Sequence, residues 1–198
     1  MSTGNRFADF IRRIRAGDRD AAEQLVREYE PLIRREIRLR LSDRRLQRIF
    51  DSMDVCQSVM ASFFVRAAAG SYELNEPRDV VRLLTKMAQN KLASNARAQN
   101  RQRREHRRAV ADGAAHLEGF VAREPTPSQQ IAGKELLQRF RERLSADELQ
   151  LAELRAQGAA WSDIAAQLGG TAQSRRMQLA RAVERAIKQL GLDDTSGA

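Results

Sequence analysis

Apolar side chains recur with helical spacing from the start of the chain. The spacing i, i+3, i+4, i+7 marks one face of a helix, and the first such face is made by Phe7, Phe10, Ile11 and Ile14. Ala-Gly-Asp at 16–18 interrupts the pattern, and Asp20 is placed to cap a second helix. That helix has an apolar face of Ala22, Leu25, Val26 and Tyr29, and after Pro31 the pattern resumes with Ile33, Ile37 and Leu41. This part of the chain is therefore predicted to be helical.

The next segment predicts two further helices with a loop between them. Asp51 or Ser52 is placed to cap the first helix, and Gly70 is placed to end it. Its broad apolar face is made by Val55, Cys56, Val59, Met60, Phe63 and Phe64. The loop GSYELNEPRD follows, and Pro77 suits the first turn of a long helix. The predicted buried stripe of this long helix is Val81, Leu84, Ala88 and Leu92.

The composition changes between residues 109 and 133, where glycines and the stretch REPTPSQQ replace the periodic pattern. This change predicts a linker. Periodicity returns near Glu135, and Ser145 followed by Glu148 predicts a capping box. No stretch alternates with a period of two, so no sheet is expected. The predicted fold class is all-α, with two small helical domains (1–108 and 134–192) joined by the linker 109–133 and followed by a tail, 193–198.

The C-terminal part contains the order of features expected of a helix–turn–helix, in WSDIAAQLGGTAQSRRMQLARA. Two glycines supply a tight turn after a short helix, and Thr171 is placed to cap the second helix. The predicted core side of that second helix is Leu179, Val183, Ala186, Ile187 and Leu190. Gln173, Met177, Arg181 and Lys188 fall on the opposite side, with Arg176 on the flank. Such a helix can enter a major groove of DNA; an ordinary helical hairpin is the alternative.

The charge of the chain indicates a polyanionic partner. The 198 residues carry a formal net charge of +9, which attracts nucleic acid or an acidic membrane surface. From Val80 to Arg104 there are seven basic residues and no acidic one, and the basic stretch RAQNRQRREHRR continues to residue 108. A solvated helix usually mixes charges of both signs because i,i+4 pairs stabilise it. The one-signed helix therefore favours a surface that binds a polyanion over a solvated helix end.

Several classes of function are disfavoured by what the chain contains. With Cys56 as the single cysteine, neither an intrachain disulfide nor a CxxC metal site can form, and Cys56 is expected in the core. No signal peptide and no run of eighteen apolar residues is found, so we expect a cytoplasmic protein without membrane insertion. The acids are scattered and the histidines few, so an enzyme acting on nucleic acid is the weakest interpretation. No catalytic residue, metal or cofactor is expected.

These motifs together resemble the extracytoplasmic-function (ECF) group of sigma factors of bacterial RNA polymerase, over nearly the whole chain except the linker. DVCQSVMASFF resembles the family's core-binding helix, with Asp54 and Gln57 matching and Ser58 in place of an acid. LLTKMAQNKLASNARAQNRQRR resembles the helix of the promoter-melting region 2, with Ala88 and Asn90 matching. DIAAQLGGT and the Arg-Ala at 181–182 resemble region 4, which binds the −35 element.

The resemblance implies a sigma factor that binds core RNA polymerase and directs transcription initiation at specific promoters. The implied core-binding residues are Asp54 and Gln57. The implied contacts near the −10 element are Tyr72, Asn75, Arg82, Lys86, Gln89, Asn90, Arg97, Arg101, Arg103 and Arg104. For Tyr72 and Asn75, an anchoring aromatic and a turn residue are equally good interpretations. The implied −35 contacts are Thr171, Gln173, Arg176 and Arg181.

The resemblance also implies promoter DNA and core polymerase as partners, and it raises an anti-sigma factor as a further one. Arg175 occupies a position where the family usually has an inward aliphatic residue, so its contact with DNA is left open. The alternative function is a helix–turn–helix regulator that binds an operator without polymerase. A binding assay with purified core polymerase separates the two.

Overall fold

In the computed structural model, residues 3–40, 52–111 and 133–192 are described, and they form eight α-helices and no strand. This confirms the predicted all-α class. The helices are α1 (Thr3–Ala16), α2 (Arg19–Arg40), α3 (Ser52–Ala68), α4 (Pro77–Ala111), α5 (Gly133–Arg141), α6 (Ala146–Ala156), α7 (Trp161–Leu168) and α8 (Ala172–Gln189). The predictions for Leu41, Asp51, most of the linker and the tail fall outside these ranges. Within them, no helix is long and apolar enough to cross a bilayer.

The start of α2 differs from the prediction. The Asp18 carboxylate, not that of Asp20, accepts the backbone N–H of Ala21 at 2.8 Å, and the helix begins at Arg19. Arg13 of α1 also donates to Asp18, at 3.0 Å. The Ala21 N–H and the Arg13 guanidinium both lower the pKa of Asp18, because each stabilises its charged form. The prediction that Asp20 caps this helix is therefore wrong, and Asp18 joins the ends of α1 and α2.

Helix α2 continues through Pro31 as one element. A proline inside a helix removes one backbone hydrogen bond, but Pro31 lies on an exposed side, where water can solvate the freed carbonyl. Buried residues continue on both sides of it, namely Ala21, Leu25, Tyr29, Ile33 and Ile37. The packed face thus holds the helix together across the proline.

Two clusters of buried side chains organise the molecule. The first joins α1, α2, α3 and α4 around residues such as Leu25, Ile33, Val59, Phe63 and Leu84. The second joins α5, α6, α7 and α8, and it contains all five residues predicted for the core side of α8. Val65 and Ala69, at the end of α3 and just after it, belong to this second cluster. The predicted division into two domains at 109–133 stays a prediction.

Local signals for helix ends agree with the sequence. Ser145 and Glu148 form the predicted capping box, and Gly70, at φ +65°, follows the end of α3. That backbone conformation is left-handed, where glycine lacks the steric cost of a side chain. Cys56 is buried in the first core, as predicted, and burial raises the pKa of its thiol to about 11.

Candidate nucleic-acid interface

The basic residues of α4 lie on the side of the helix that faces away from the core. Val80, Leu84 and Ala88 are fully buried on the inner side. The predicted contacts on α4 whose side chains are described fall within roughly one third of the circumference at about 100° per residue. The exposed ones are Arg82, Lys86, Arg97, Arg101 and Arg104. Gln89 and Asn90 are half-buried near the edges of this band. The side chain of Arg103 is outside the described part of the chain. We call this band the α4 stripe.

The α4 stripe differs from the other basic helices in its ion pairing. In α1 and α2, arginines pair with carboxylates one turn away, as in Arg19–Glu23 at 2.7 Å and Arg34–Glu30 at 3.2 Å. The exposed arginines and lysine of the stripe form no ion pair with any residue in the described ranges. From Arg82 to Arg104 the stripe extends about 33 Å, at about 1.5 Å per residue. This length is close to one turn of B-form DNA, about 34–36 Å.

The loop before α4 is anchored at Tyr72. Its hydroxyl donates to the sulfur of Met87 at 3.5 Å, and its ring stacks on Phe63 with centroids 5.9 Å apart. Arg15 donates to the Tyr72 carbonyl at 2.8 Å. These contacts match the anchoring role, while a contact between Tyr72 and a base stays a prediction.

Asn75 lies in the same loop with an exposed side chain. Its backbone N–H donates to the Asp79 carboxylate at 3.0 Å, and the N–H of Glu76 donates to the same oxygen at 3.2 Å. Asp79 therefore satisfies backbone donors that α4 leaves open at its start. These hydrogen bonds fix the loop backbone. The side-chain amide of Asn75 faces water at the N-terminal end of the α4 stripe.

The second basic element is α8, which follows α7 after a three-residue turn, 169–171. Thr171 caps α8: its hydroxyl accepts the N–H of Ser174 at 3.1 Å, and its own N–H donates to the Ser174 hydroxyl at 3.1 Å. Gly169 ends α7 at φ +77°. Thr171 was predicted to contact DNA, and its hydroxyl is engaged in this reciprocal cap. Its DNA contact stays a prediction.

The outer face of α8 carries the other predicted −35 contacts. Gln173, Arg176 and Arg181 are all exposed, and Met177 between them is 42% exposed. The inner face is buried through Leu179, Val183 and other members of the second core. Neither Arg176 nor Arg181 forms an ion pair within the described ranges. The first two turns of α8 therefore present amide and guanidinium donors to solvent.

Arg175 points toward the turn and not along this outer face. Its Nε donates to the Gly169 carbonyl at 2.9 Å, one Nη donates to the Leu168 carbonyl, and the other donates to Gln178 Oε1 at 2.8 Å. The carbonyls of residues 168 and 169 lie at the C-terminal end of α7, where a positive charge is favourable. Arg175 thus connects α8 to the end of α7. The sequence analysis did not predict this role, although the inward position of Arg175 indicated a contact within the chain.

The polar pair predicted to bind polymerase lies on α3. Asp54 and Gln57 are both exposed, whereas Ser58 next to them is buried. Asp54 sits in the first turn, where a carboxylate is favourable with the helix dipole. The two side chains form an open polar edge on a helix that is otherwise largely buried. Their function as a docking site stays a prediction.

The stripe also contains positions that the sequence interpretation did not include. Ala93 and Asn100 are exposed and lie within the angular range of the α4 stripe. Only spacing relative to the basic residues could have found them. They show that the stripe is continuous in shape between Lys86 and Arg101, with no acidic or bulky apolar side chain interrupting it at these positions.

A family model described as ECF sigma factor matches residues 4–189, nearly the whole chain. Searches of curated proteins and of solved structures found no significant match. The matched range includes α4, α8 and α3, the three helices that carry the predicted contacts.

Proposed function

The chain belongs to the ECF sigma factor family, and from this membership we propose that it binds bacterial core RNA polymerase and directs it to specific promoters. Family membership supports a role in transcription initiation. The proposal adds two DNA-binding surfaces, the α4 stripe near the −10 element and the outer face of α8 at the −35 element. The proposal includes no chemical step for this chain, which contributes recognition of polymerase and of promoter DNA. We place the protein in the cytoplasm, where polymerase acts.

The observation that carries the proposal is the α4 stripe, whose cations form no ion pair with any residue in the described ranges. Five exposed cations on one side of a long helix, with no carboxylate on that helix between Val80 and Arg104, supply the charge that phosphates require. Such contacts fix the position of a protein on DNA without reading its sequence. The −10 residues proposed to contact bases are Asn75, Tyr72, Gln89 and Asn90, at the loop and along the first half of α4.

The outer face of α8 supports the second surface. We propose that α7 and α8 act as a helix–turn–helix, with α8 entering the major groove at its N-terminal end. Arg176 and Gln173 are exposed in the first two turns, and both side chains suit bidentate contacts with bases. Arg181 lies one turn further and is placed for a phosphate. Arg175, held by the α7 carbonyls, positions this helix.

Core binding is the part of the proposal that separates a sigma factor from an operator-binding regulator. We predict that Asp54→Ala with Gln57→Ala weakens the complex with core polymerase by about tenfold, on the order of 1–2 kcal/mol. Both side chains are exposed, so the fold is expected to persist. The measurement is co-purification with core polymerase, followed by run-off transcription from a bound promoter.

Helix α6 offers a matched control. Asp147 and Gln150 have the same spacing and are also exposed, so Asp147→Ala with Gln150→Ala removes the same groups elsewhere. This control is expected to bind core polymerase and to support transcription as the unaltered chain does. A chain that never associates with core polymerase, or a control pair that loses binding equally, would contradict the proposal.

A further inference from the structure

One exposed apolar side chain lies among the polar residues of α8. Met177 is 42% exposed, and the other large apolar side chains that are exposed in the described ranges, Leu32 and Leu39, lie on α2. Apolar side chains scattered singly over a surface need no special explanation, so exposure by itself assigns no role to Met177. The neighbours of Met177 on its helix distinguish it from the two leucines.

Met177 lies in the middle of the outer face of α8. Gln173 and Arg181, both exposed, are one turn before it and one turn after it. At about 100° per residue, each lies about 40° from Met177, on opposite sides. Leu179, which is buried on the inner face, lies about 160° away. Met177 therefore shares one ridge of the helix with two residues that are proposed to contact the −35 element.

The neighbours of Met177 three positions away are small, which leaves space around its side chain. They are Ser174 and Ala180, and both are exposed. The Ser174 hydroxyl donates to the Thr171 carbonyl at 2.9 Å and accepts the Thr171 N–H at 3.1 Å, so the helix cap uses both of its functions. A base edge that approaches between Ser174 and Ala180 therefore meets the methionine, and not a hydroxyl available for hydrogen bonding.

The chemistry of this position matches one base. Thymine presents an apolar group, its C5-methyl, in the major groove, whereas the other three bases present hydrogen-bonding groups there. A thioether donates no hydrogen bond and is only a weak acceptor, so a polar base edge against it would lose its bonds to water without replacement. Contact with a methyl group instead removes apolar surface of both partners from water. The unbranched methionine side chain can also adapt its shape to the surface that it meets.

We propose that Met177 is a specificity-determining residue that selects a thymine in the −35 element by packing against its C5-methyl. This inference rests on the proposed function, because it takes α8 as the helix that enters the major groove. Gln173 and Met177 are about 6 Å apart along the helix axis, at about 1.5 Å per residue, and base pairs are about 3.4 Å apart. The thymine should therefore lie within about two base pairs of the base that Gln173 contacts.

The test uses the full chain in complex with core polymerase. Promoters are first selected from a library of duplexes randomised over the −35 element, and each thymine of the selected element is then replaced by deoxyuridine, one at a time. Deoxyuridine lacks the C5-methyl but keeps the base pair and the O4 acceptor. We expect one thymine at which this replacement weakens promoter binding about fourfold, the effect of exposing about one buried methyl group.

Met177→Ala tests whether this side chain contacts that methyl group. The variant should bind the thymine promoter about fourfold more weakly than the unaltered chain does. It should lose no further affinity with deoxyuridine, because the effects of removing two groups that contact each other are not additive. Met177→Leu keeps a large apolar side chain and should retain most of the preference for thymine over deoxyuridine. Leu39→Ala removes an exposed apolar side chain from α2 and should leave this preference unchanged.

A selected −35 element without any methyl-sensitive thymine would overturn the inference while leaving the proposed function intact. Retention of the full preference by Met177→Ala would also overturn it, because another residue would then contact the methyl group. Failure of the chain to bind core polymerase, or to select any −35 element with it, would defeat the proposed function and this inference together.

Discussion

At the scale of the residue, Arg175 joins the turn after α7 to α8, and we predict that it does so without contacting DNA. Its guanidinium donates to the carbonyls of Leu168 and Gly169 at the end of α7 and to Gln178 on its own helix. A planar fork of donors can satisfy several acceptors at once, which a lysine ammonium cannot do in the same geometry. The angle at which α8 leaves the turn therefore depends on this residue.

We predict that Arg175→Ala lowers the free energy of unfolding by roughly 1 kcal/mol. It should also weaken binding to promoter DNA, by the same factor for every promoter sequence. Base preference should stay unchanged, because the side chain orients α8 and does not meet a base. Arg175→Lys should retain part of the stability. Binding of the variants to a library of −35 sequences, together with thermal unfolding, measures both effects.

Arg176→Ala is the control next in sequence, with an exposed side chain on the outer face. It should leave stability nearly unchanged and relax the choice of base at one or two positions, at about 1–3 kcal/mol each. A change of base preference with Arg175→Ala that resembles the effect of Arg176→Ala would mean that Arg175 reads DNA.

At the scale of the element, α4 is proposed to bind phosphates as a set of equivalent charges. Replacing Arg97, Arg101 and Arg104 by Gln removes three cations but keeps polar residues that favour a helix. Each lost phosphate contact lowers the salt dependence of binding by about 0.9, so the slope of log K against log salt should fall by up to about three. The measurement is promoter binding by the polymerase complex across a range of salt concentrations.

Arginines of α1 and α2 supply the control for this prediction. Arg12, Arg19 and Arg27 are exposed, and their replacement by Gln changes net charge by the same amount away from the stripe. The slope should then stay close to that of the unaltered chain. Equal slopes for the two triple variants would show that α4 contributes only to the overall charge of the protein.

The local features of these elements were predictable because their causes are local. The capping box joins Ser145 and Glu148, which are one helical turn apart. Gly70 lies within one turn of the end of α3, and Pro77 is the first residue of α4. Asp18 was missed because two acids compete for one cap, and Arg13, on the preceding helix, selects between them. The one-signed composition of α4 likewise indicated its exposed stripe in advance.

Contacts between distant elements were not predictable from spacing alone. An apolar position such as Val65 indicates that a side is buried, but it does not identify the helix that covers it. The ion pair of Arg66 with Glu184 joins residues 118 positions apart, and neither residue has a neighbouring sequence that marks the other. Five residues of the predicted apolar face of α3 are buried in the first cluster, and Phe64 packs against it partly buried. The buried Val65 was not predicted, and its place in the second cluster needed the three-dimensional structure.

At the scale of the whole molecule, α3 couples the two groups of helices. Val59 and Val65 are fully buried on this one helix, yet Val59 belongs to the first core and Val65 to the second. A cavity made at either site costs stability through lost contacts around it. Because the contacts differ, a cavity at Val59 and a cavity at Val65 should destabilise different helices.

We predict that Val65→Ala increases hydrogen exchange at the backbone amides of α8, with a loss of roughly 2 kcal/mol in local protection. Val59→Ala makes the same chemical change six residues earlier and should leave α8 protected, while increasing exchange in α2 and α4. The measurement is native-state hydrogen exchange of the free protein, read by mass spectrometry for each helix. If Val65→Ala increased hydrogen exchange only in α1, α2 and α4, the C-terminal helices would not depend on α3 for their stability. The contact of α3 with the second core would then contribute no measurable stability.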